Sequence, residues 1–165
     1  MTLLECLITI VLTGSVLFAT ISAYYEFTNK NQLSTLVNDL TNTLEYARNA
    51  AITLHTDITF CANDGEGACG SNWQNGQLIL NENNQKVLRE LPPMPSGYHL
   101  FWRSTLGDSV ALRWRSDGFT RGQQGSFFIC GRKDHSASSA QIIILRTSRL
   151  RVETGIISGC DDLMN

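Results

Sequence analysis

Hydrophobic residues dominate the first 25 positions of the chain, which contain one charged side chain, Glu5. That length is enough for a helix to cross a bilayer, which takes roughly 20 apolar residues. From residue 28 onward, apolar residues recur at steps of three or four, the stripe of an amphipathic helix. The stripe comprises Leu33, Leu36, Val37, Leu40, Leu44, Ala47 and Ala51. The pattern predicts one helix from about residue 2 to about residue 53, roughly 80 Å long. Its first half is expected to face lipid or other helices, and its second half to pack on a soluble domain.

After about residue 55 the pattern changes to the alternation of strands with one buried face, as at 98–103 and 110–115. The stretch QLILNENNQKVL predicts a hairpin with its turn near Asn81–Gln85. No internal repeat or low-complexity linker interrupts these short apolar runs. The predicted fold class is therefore α+β, with a long N-terminal helix packed on an antiparallel β-sheet head.

Glu5 is the exception within the apolar run. A carboxylate deep in an apolar helix costs on the order of 2.5–3.5 kcal/mol, so it usually has a partner. One interpretation pairs it with an α-amino group at Met1, of its own chain or of a neighbour, provided that Met1 is the mature N-terminus. The other places Glu5 near the membrane interface, where its side chain reaches water.

The five cysteines fall into two groups, with Cys6 in the apolar run and the other four in the polar remainder. Those four lack the spacing of a zinc site, and their even number favours disulfides in the periplasm or at the cell surface. Of three possible connectivities we predict the pairing of near neighbours, Cys61–Cys69 and Cys130–Cys160. The second disulfide would close a loop of about 30 residues and stabilise the fold by roughly 3–4 kcal/mol. The alternative is a cytosolic protein with four reduced cysteines.

Charge is sorted along the chain. Residues 1–100 hold 4 basic and 9 acidic side chains (net −5), residues 101–151 hold 9 and 3 (net +6), and the tail carries −3. Arg146, Arg149 and Arg151 lie close together in this basic third, and a planar guanidinium suits phosphate contacts. Further basic candidates follow the same stretch: Arg103, Arg113, Arg115, Arg121, Arg132 and Lys133. The alternative is a solvated or subunit-contacting basic face that acidic neighbours, including the tail, neutralise.

No catalytic motif is present in the sequence. It has no G-x-S-x-G nucleophile motif, and its three histidines share no metal-ligand spacing. The glycine-rich stretch 64–70 is acidic and lacks the lysine of a phosphate-binding loop. We therefore expect no enzymatic activity, no metal and no cofactor.

The first 25 residues, MTLLECLITIVLTGSVLFATISAYY, resemble the mature N-terminus of a type IV pilin or pseudopilin, with Glu5 at the fifth position and the aromatic pair Tyr24-Tyr25. The resemblance implies that a prepilin peptidase removes a short basic leader before Met1, and that Met1 is N-methylated. It also implies that Glu5 serves assembly by pairing with the N-terminus of a neighbouring subunit. Met1 replaces the usual phenylalanine, and Ser22 stands where many pilins have a proline.

The resemblance extends into the head. LEYARNAAI at 44–52, DITFC at 57–61 and NWQNGQLIL at 72–80 are similar to segments of the FimT/FimU/GspH group of minor pilins and pseudopilins. Members of that group often close with Gly-Arg-x-Arg after a strand, and here Ser148 replaces the glycine. In DNA-uptake pilins of the FimT type, basic residues around that segment bind double-stranded DNA. Arg146, Arg149 and Arg151 are therefore the candidate DNA-binding residues.

The family resemblance implies a minor pilin of a type IV pilus, located at or near the tip and helping to initiate assembly. The alternatives are a DNA-binding pilin of natural transformation and a minor pseudopilin of a type II secretion system. Residues 1–27 would form the membrane and filament-core half of the helix, and residues 28–165 the head. The expected partners are other pilins of the tip complex, the major pilin and, for the DNA-binding alternative, double-stranded DNA. The head would lie in the periplasm while the chain is anchored in the inner membrane, and on the cell surface after assembly.

Overall fold

A computed structural model describes the chain over residues 2–106, 110–131 and 139–163. Its first element is the helix α1 (Leu3–Leu54), which is 52 residues long and therefore spans about 78 Å. The helix ends at His55, which adopts the left-handed conformation and donates its backbone N–H to the carbonyl oxygen of Ala51. The prediction of one long helix is confirmed.

The two halves of α1 differ in exposure. Residues 2–15 are all exposed, whereas the predicted stripe from Leu33 to Ala51 is buried against the head except for Leu36, which is partly buried. Among the residues that the structure describes, no helix has the combined length and hydropathy of a membrane crossing.

The described residues of the head form two antiparallel sheets. In the first sheet, β1 (Ile58–Asn63) pairs with β3 (Gln77–Asn81) along one edge, and β3 pairs with β4 (Lys86–Leu91). The other edge of β1 is shared by β6 (Ala111–Trp114) and the short β2 (Cys69–Gly70). All six residues of β1 are buried because strands flank both of its edges and α1 packs on one face.

The second sheet has the strand order β5-β7-β8-β9. Its strands are β5 (Tyr98–Leu106), β7 (Gln124–Gly131), β8 (Ser139–Ile144) and β9 (Leu150–Gly155). A short helix, α2 (Ser158–Leu163), follows β9 and lies against β7. Sequential strands pair along most of this sheet, which keeps the connections short.

The α+β class with a long helix on an antiparallel head is confirmed, as is the β3–β4 hairpin. The sequence pattern did not predict that the head divides into two sheets, nor the elements β9 and α2. Strand β9 was missed because it alternates charged and apolar residues with only partial burial.

An aromatic cluster joins the two sheets. The ring centroid of Phe127 on β7 lies 4.5 Å from Trp102 on β5, 5.1 Å from Trp73 and 5.6 Å from Phe60 on β1. Trp73 belongs to a single 3₁₀ turn (Trp73–Asn75) before β3. The buried face of α1 belongs to the same hydrophobic core, so one continuous core supports both sheets and the helix.

Candidate functional site

The β8–β9 hairpin carries the predicted basic residues on a tight turn. Ser148 donates its N–H to the carbonyl oxygen of Leu145 at 2.8 Å, and Leu145 donates its N–H to that of Arg149 at 3.1 Å. Ser148 has φ of 60°, a conformation that costs an L-residue roughly 1–2 kcal/mol and that glycine adopts freely. The turn geometry thus explains why glycine suits this position in the related motif.

The three predicted DNA-binding residues have different surroundings. Arg146 and Arg149 are exposed, and neither forms an ion pair with any residue in the described part of the chain. Arg151 lies on β9 and pairs with Glu153 at 2.9 Å, since residues two apart on a strand share a face. Among the described residues, two of the three guanidinium groups therefore have no carboxylate partner.

Three other arginines of the basic third form ion pairs with acidic side chains of the head. Arg113 lies 3.0 Å from Glu82, and Arg121 lies 3.4 Å from Asp57. Arg115 pairs with Asp117 at 2.8 Å. These exposed pairs stabilise the fold by roughly 0–1 kcal/mol each. They also neutralise arginine charges whose partners the sequence alone did not reveal. Of the remaining candidates, Arg103 is exposed on β5, and Arg132 and Lys133 lie outside the described residues.

Two disulfides join the cysteines that we predicted as partners. The Cα–Cα distance is 5.5 Å for Cys61–Cys69 and 5.6 Å for Cys130–Cys160. Cys6 is free and exposed.

The loop that follows Cys61 is organised by its own acidic residue. The Asp64 carboxylate accepts hydrogen bonds from the backbone N–H groups of Glu66 at 2.8 Å and Ala68 at 3.0 Å. These two bonds lower the pKa of Asp64 below its usual value. The N–H groups that a phosphate-binding loop would offer to its ligand are thus occupied by this carboxylate.

The predicted assembly residue Glu5 forms a capping box with Thr2. Its carboxylate accepts the Thr2 backbone N–H at 3.4 Å, and the Thr2 hydroxyl accepts the Glu5 N–H at 3.4 Å. Met1, the proposed mature N-terminus, lies outside the described residues. The sequence analysis considered Glu5 as a partner for an α-amino group or as a side chain that reaches water at the interface, and it missed this local role at the start of α1.

Arg48 was not predicted as a site residue, although it lies within the LEYARNAAI segment at 44–52. It belongs to the Tyr46-Ala47-Arg48 segment of α1, beside the buried Ala47. Gly118, with φ of 77°, passes over this part of the helix, where an added β-carbon would lie 2.6 Å from Ile52 Cδ1 and 3.5 Å from Arg48 Nε. The sequence feature that could have identified Arg48 as a site residue is its position, as a long basic side chain, at the border of the apolar stripe.

An extended helix whose second half packs on an antiparallel, disulfide-linked head defines a pilin-like protein. The chain belongs to the GspH family, described as type II transport protein GspH, whose family model matches residues 36–148. The resemblance to the FimT/FimU/GspH group is thereby confirmed. No curated protein matches the chain significantly by sequence.

Solved structures share this fold. The chain is similar to the type IV minor pilin FimU of Pseudomonas aeruginosa, with a TM-score of 0.63, 18% identity, and coverage of 81% of this chain and 98% of FimU. It is also similar to the minor pseudopilin EpsH from the Type 2 Secretion System of Vibrio cholerae, with a TM-score of 0.55 and 12% identity. That match covers 74% of this chain and 97% of EpsH.

Proposed function

We propose that this protein is a minor pilin of a type IV pilus, incorporated at or near the tip, where it helps to initiate assembly. The observation that carries the proposal is the exposed apolar surface of α1. Leu3, Leu12 and Phe18 are 85%, 59% and 77% exposed, and Leu3 and Leu12 lie on opposite sides of the helix. A helix with apolar residues on all sides is stable among lipids or other helices, not in water.

On this proposal, residues 1–27 anchor the chain in the inner membrane before assembly and join the helices of the filament core afterwards. Residues 28–165 form the head, which lies in the periplasm and then at the cell surface. Its two disulfides suit an oxidising compartment. The partners are the other minor pilins of the tip complex, the major pilin and the prepilin peptidase.

Glu5 supplies the proposed contact between subunits. Its hydrogen bond to Thr2 is long at 3.4 Å and exposed, so its carboxylate retains acceptor capacity for a cation. The α-amino group of a neighbouring subunit is that cation in our proposal, and the pair forms where the surroundings are apolar and charge pairing is strong.

Replacing Glu5 by alanine should lower the amount of this protein in sheared pili about tenfold or more, because a desolvated charge would lose its partner. The amount in the inner membrane should stay unchanged. Immunoblots of sheared pili and of membrane fractions measure both quantities.

Glu5→Gln is the matched control, because glutamine keeps the capping box but carries no charge. Equal defects in Glu5→Ala and Glu5→Gln support charge pairing, whereas normal incorporation of Glu5→Gln would reduce the role of Glu5 to capping. The same strains test the type II secretion alternative. If these variant strains form normal pili but lose secreted proteins, the chain is a pseudopilin of a type II secretion system.

DNA binding is a second candidate, favoured by the two exposed arginines of the β8–β9 turn. Two neutralised phosphates predict a slope of log K against log salt of about −1.8, and three predict about −2.7. In gel shifts on duplex DNA, Arg146→Gln/Arg149→Gln should abolish binding. Arg151→Gln should weaken it less, because Glu153 already holds that guanidinium. Unchanged affinity in all variants would remove the DNA-receptor function.

A further inference from the structure

A cleft of about 390 Å³ opens between the second half of α1 and the β8–β9 turn. We call it the helix–hairpin cleft. Its walls combine two basic side chains, one acidic side chain, one amide, one indole and one hydroxyl with two leucines. The lining residues are Leu44, Glu45, Arg48, Asn49, Trp114, Ser148, Arg149 and Leu150.

Three residues of the cleft carry a buried polar atom that has no hydrogen-bond partner among the described residues: Arg48 Nε, Trp114 Nε1 and Ser148 Oγ. Trp114 is 1% exposed and Ser148 4% exposed. Buried polar groups are nearly always paired, so each such group calls for an explanation. Three of them around one cleft indicate a shared partner that the described residues do not supply.

The chemistry of these atoms specifies that partner. The indole and guanidinium nitrogens are donors only, and the hydroxyl can donate. An ionised carboxylate is an acceptor only, with two oxygens that accept several hydrogen bonds at once.

The charges of the cleft favour an anion. Arg48 and Arg149 form no ion pair within the part of the chain that the structure describes. Glu45 is exposed on the same wall, so the formal charge of the lining is +1, from two arginines and one glutamate.

The burial of the donors favours a protein carboxylate over a DNA phosphate as the anion. Duplex DNA presents its phosphates on a broad, stiff surface, which suits exposed arginines but not donors as deeply buried as those of Trp114 and Ser148. A single aspartate or glutamate side chain is narrow enough to enter.

We propose that the helix–hairpin cleft binds the carboxylate of an acidic side chain from a neighbouring pilin subunit. Arg48 and Arg149 hold the two carboxylate oxygens, and the Trp114 indole and the Ser148 hydroxyl line the same cleft beside them. That the acidic side chain belongs to a pilin rests on the proposed function, whereas the carboxylate site itself does not.

The test is a titration of the full chain in detergent with an acidic peptide, acetyl-Gly-Glu-Gly-amide, at constant ionic strength. The indole N–H resonance of Trp114, assigned with Trp114→Phe, should shift saturably. The same peptide with glutamine should not shift it. Arg48→Gln and Arg149→Gln should each weaken binding about tenfold or more. Arg103→Gln, an exposed arginine outside the cleft, should leave binding unchanged.

Two results would overturn the proposal. If a short duplex DNA shifts the Trp114 resonance and the acidic peptide does not, the cleft is a phosphate site. If neither ligand shifts it, the cleft holds water only. Because the titration uses the isolated chain, a negative result leaves the role of Glu5 in assembly intact, and failure of the Glu5 experiment leaves the cleft intact.

Discussion

Phe127→Ala should lower the free energy of unfolding by about 3–5 kcal/mol, as expected for removing a fully buried aromatic ring. Phe127 is 0% exposed, and its ring contacts aromatic residues from both sheets, with Trp102 nearest at a centroid distance of 4.5 Å. Its loss leaves a cavity at the junction of the sheets, where α1 also packs, so the core can collapse only partly around the gap.

Urea unfolding of the full chain in detergent measures this change, because Trp73, Trp102 and Trp114 are all buried in the head and report its unfolding by fluorescence. Phe119→Ala is the matched control. Phe119 is 48% exposed on a turn, so the same substitution there should change stability by about 0.5 kcal/mol or less. Equal effects of the two substitutions would contradict the placement of Phe127 at the junction.

Removal of the Cys130–Cys160 disulfide should lower the free energy of unfolding by about 3–4 kcal/mol, because the loop that it closes then regains its freedom in the unfolded chain. The two cysteines are 30 residues apart, and both are buried. Alanine is the appropriate replacement at both positions, since serine would bury two hydroxyl groups. The double variant also frees α2, where Gly159 approaches the ring of Phe128 so closely that a β-carbon would lie 2.5 Å from it.

The second disulfide is the control for loop length. Cys61 and Cys69 are 8 residues apart, so Cys61→Ala/Cys69→Ala should cost about 2.5 kcal/mol. Limited proteolysis should cleave the α2 segment faster in Cys130→Ala/Cys160→Ala and leave it protected in the other variant. A Cys130→Ala/Cys160→Ala protein that unfolds at the same urea concentration as the wild type would contradict the prediction.

The long helix was predictable because its signal is local. Apolar spacing between residues 28 and 53 identified which face packs on the head, and the buried residues of α1 follow that spacing. The strands of the hairpin at 77–91 were predictable for the same reason, since their apolar runs flank a polar turn.

The candidate site was predictable only in part. The sequence showed that Arg146, Arg149 and Arg151 lie close together, but ion pairs depend on residues far apart in the chain. Glu153 holds Arg151, whereas distant Glu82 and Asp57 hold Arg113 and Arg121.

The sequence by itself determined the class of this protein: an apolar helix with a lone carboxylate near its start, continuing into the packing face of a β-rich head. Only the tertiary structure decided that the head has two sheets and that Arg48, Trp114 and Ser148 line one cleft. The physical reason is the range of the interactions. Helix periodicity acts over a few residues. Strand pairing and the shared cleft bring together residues that are far apart in the sequence, such as Leu44 and Leu150, and such contacts depend on how the whole core packs.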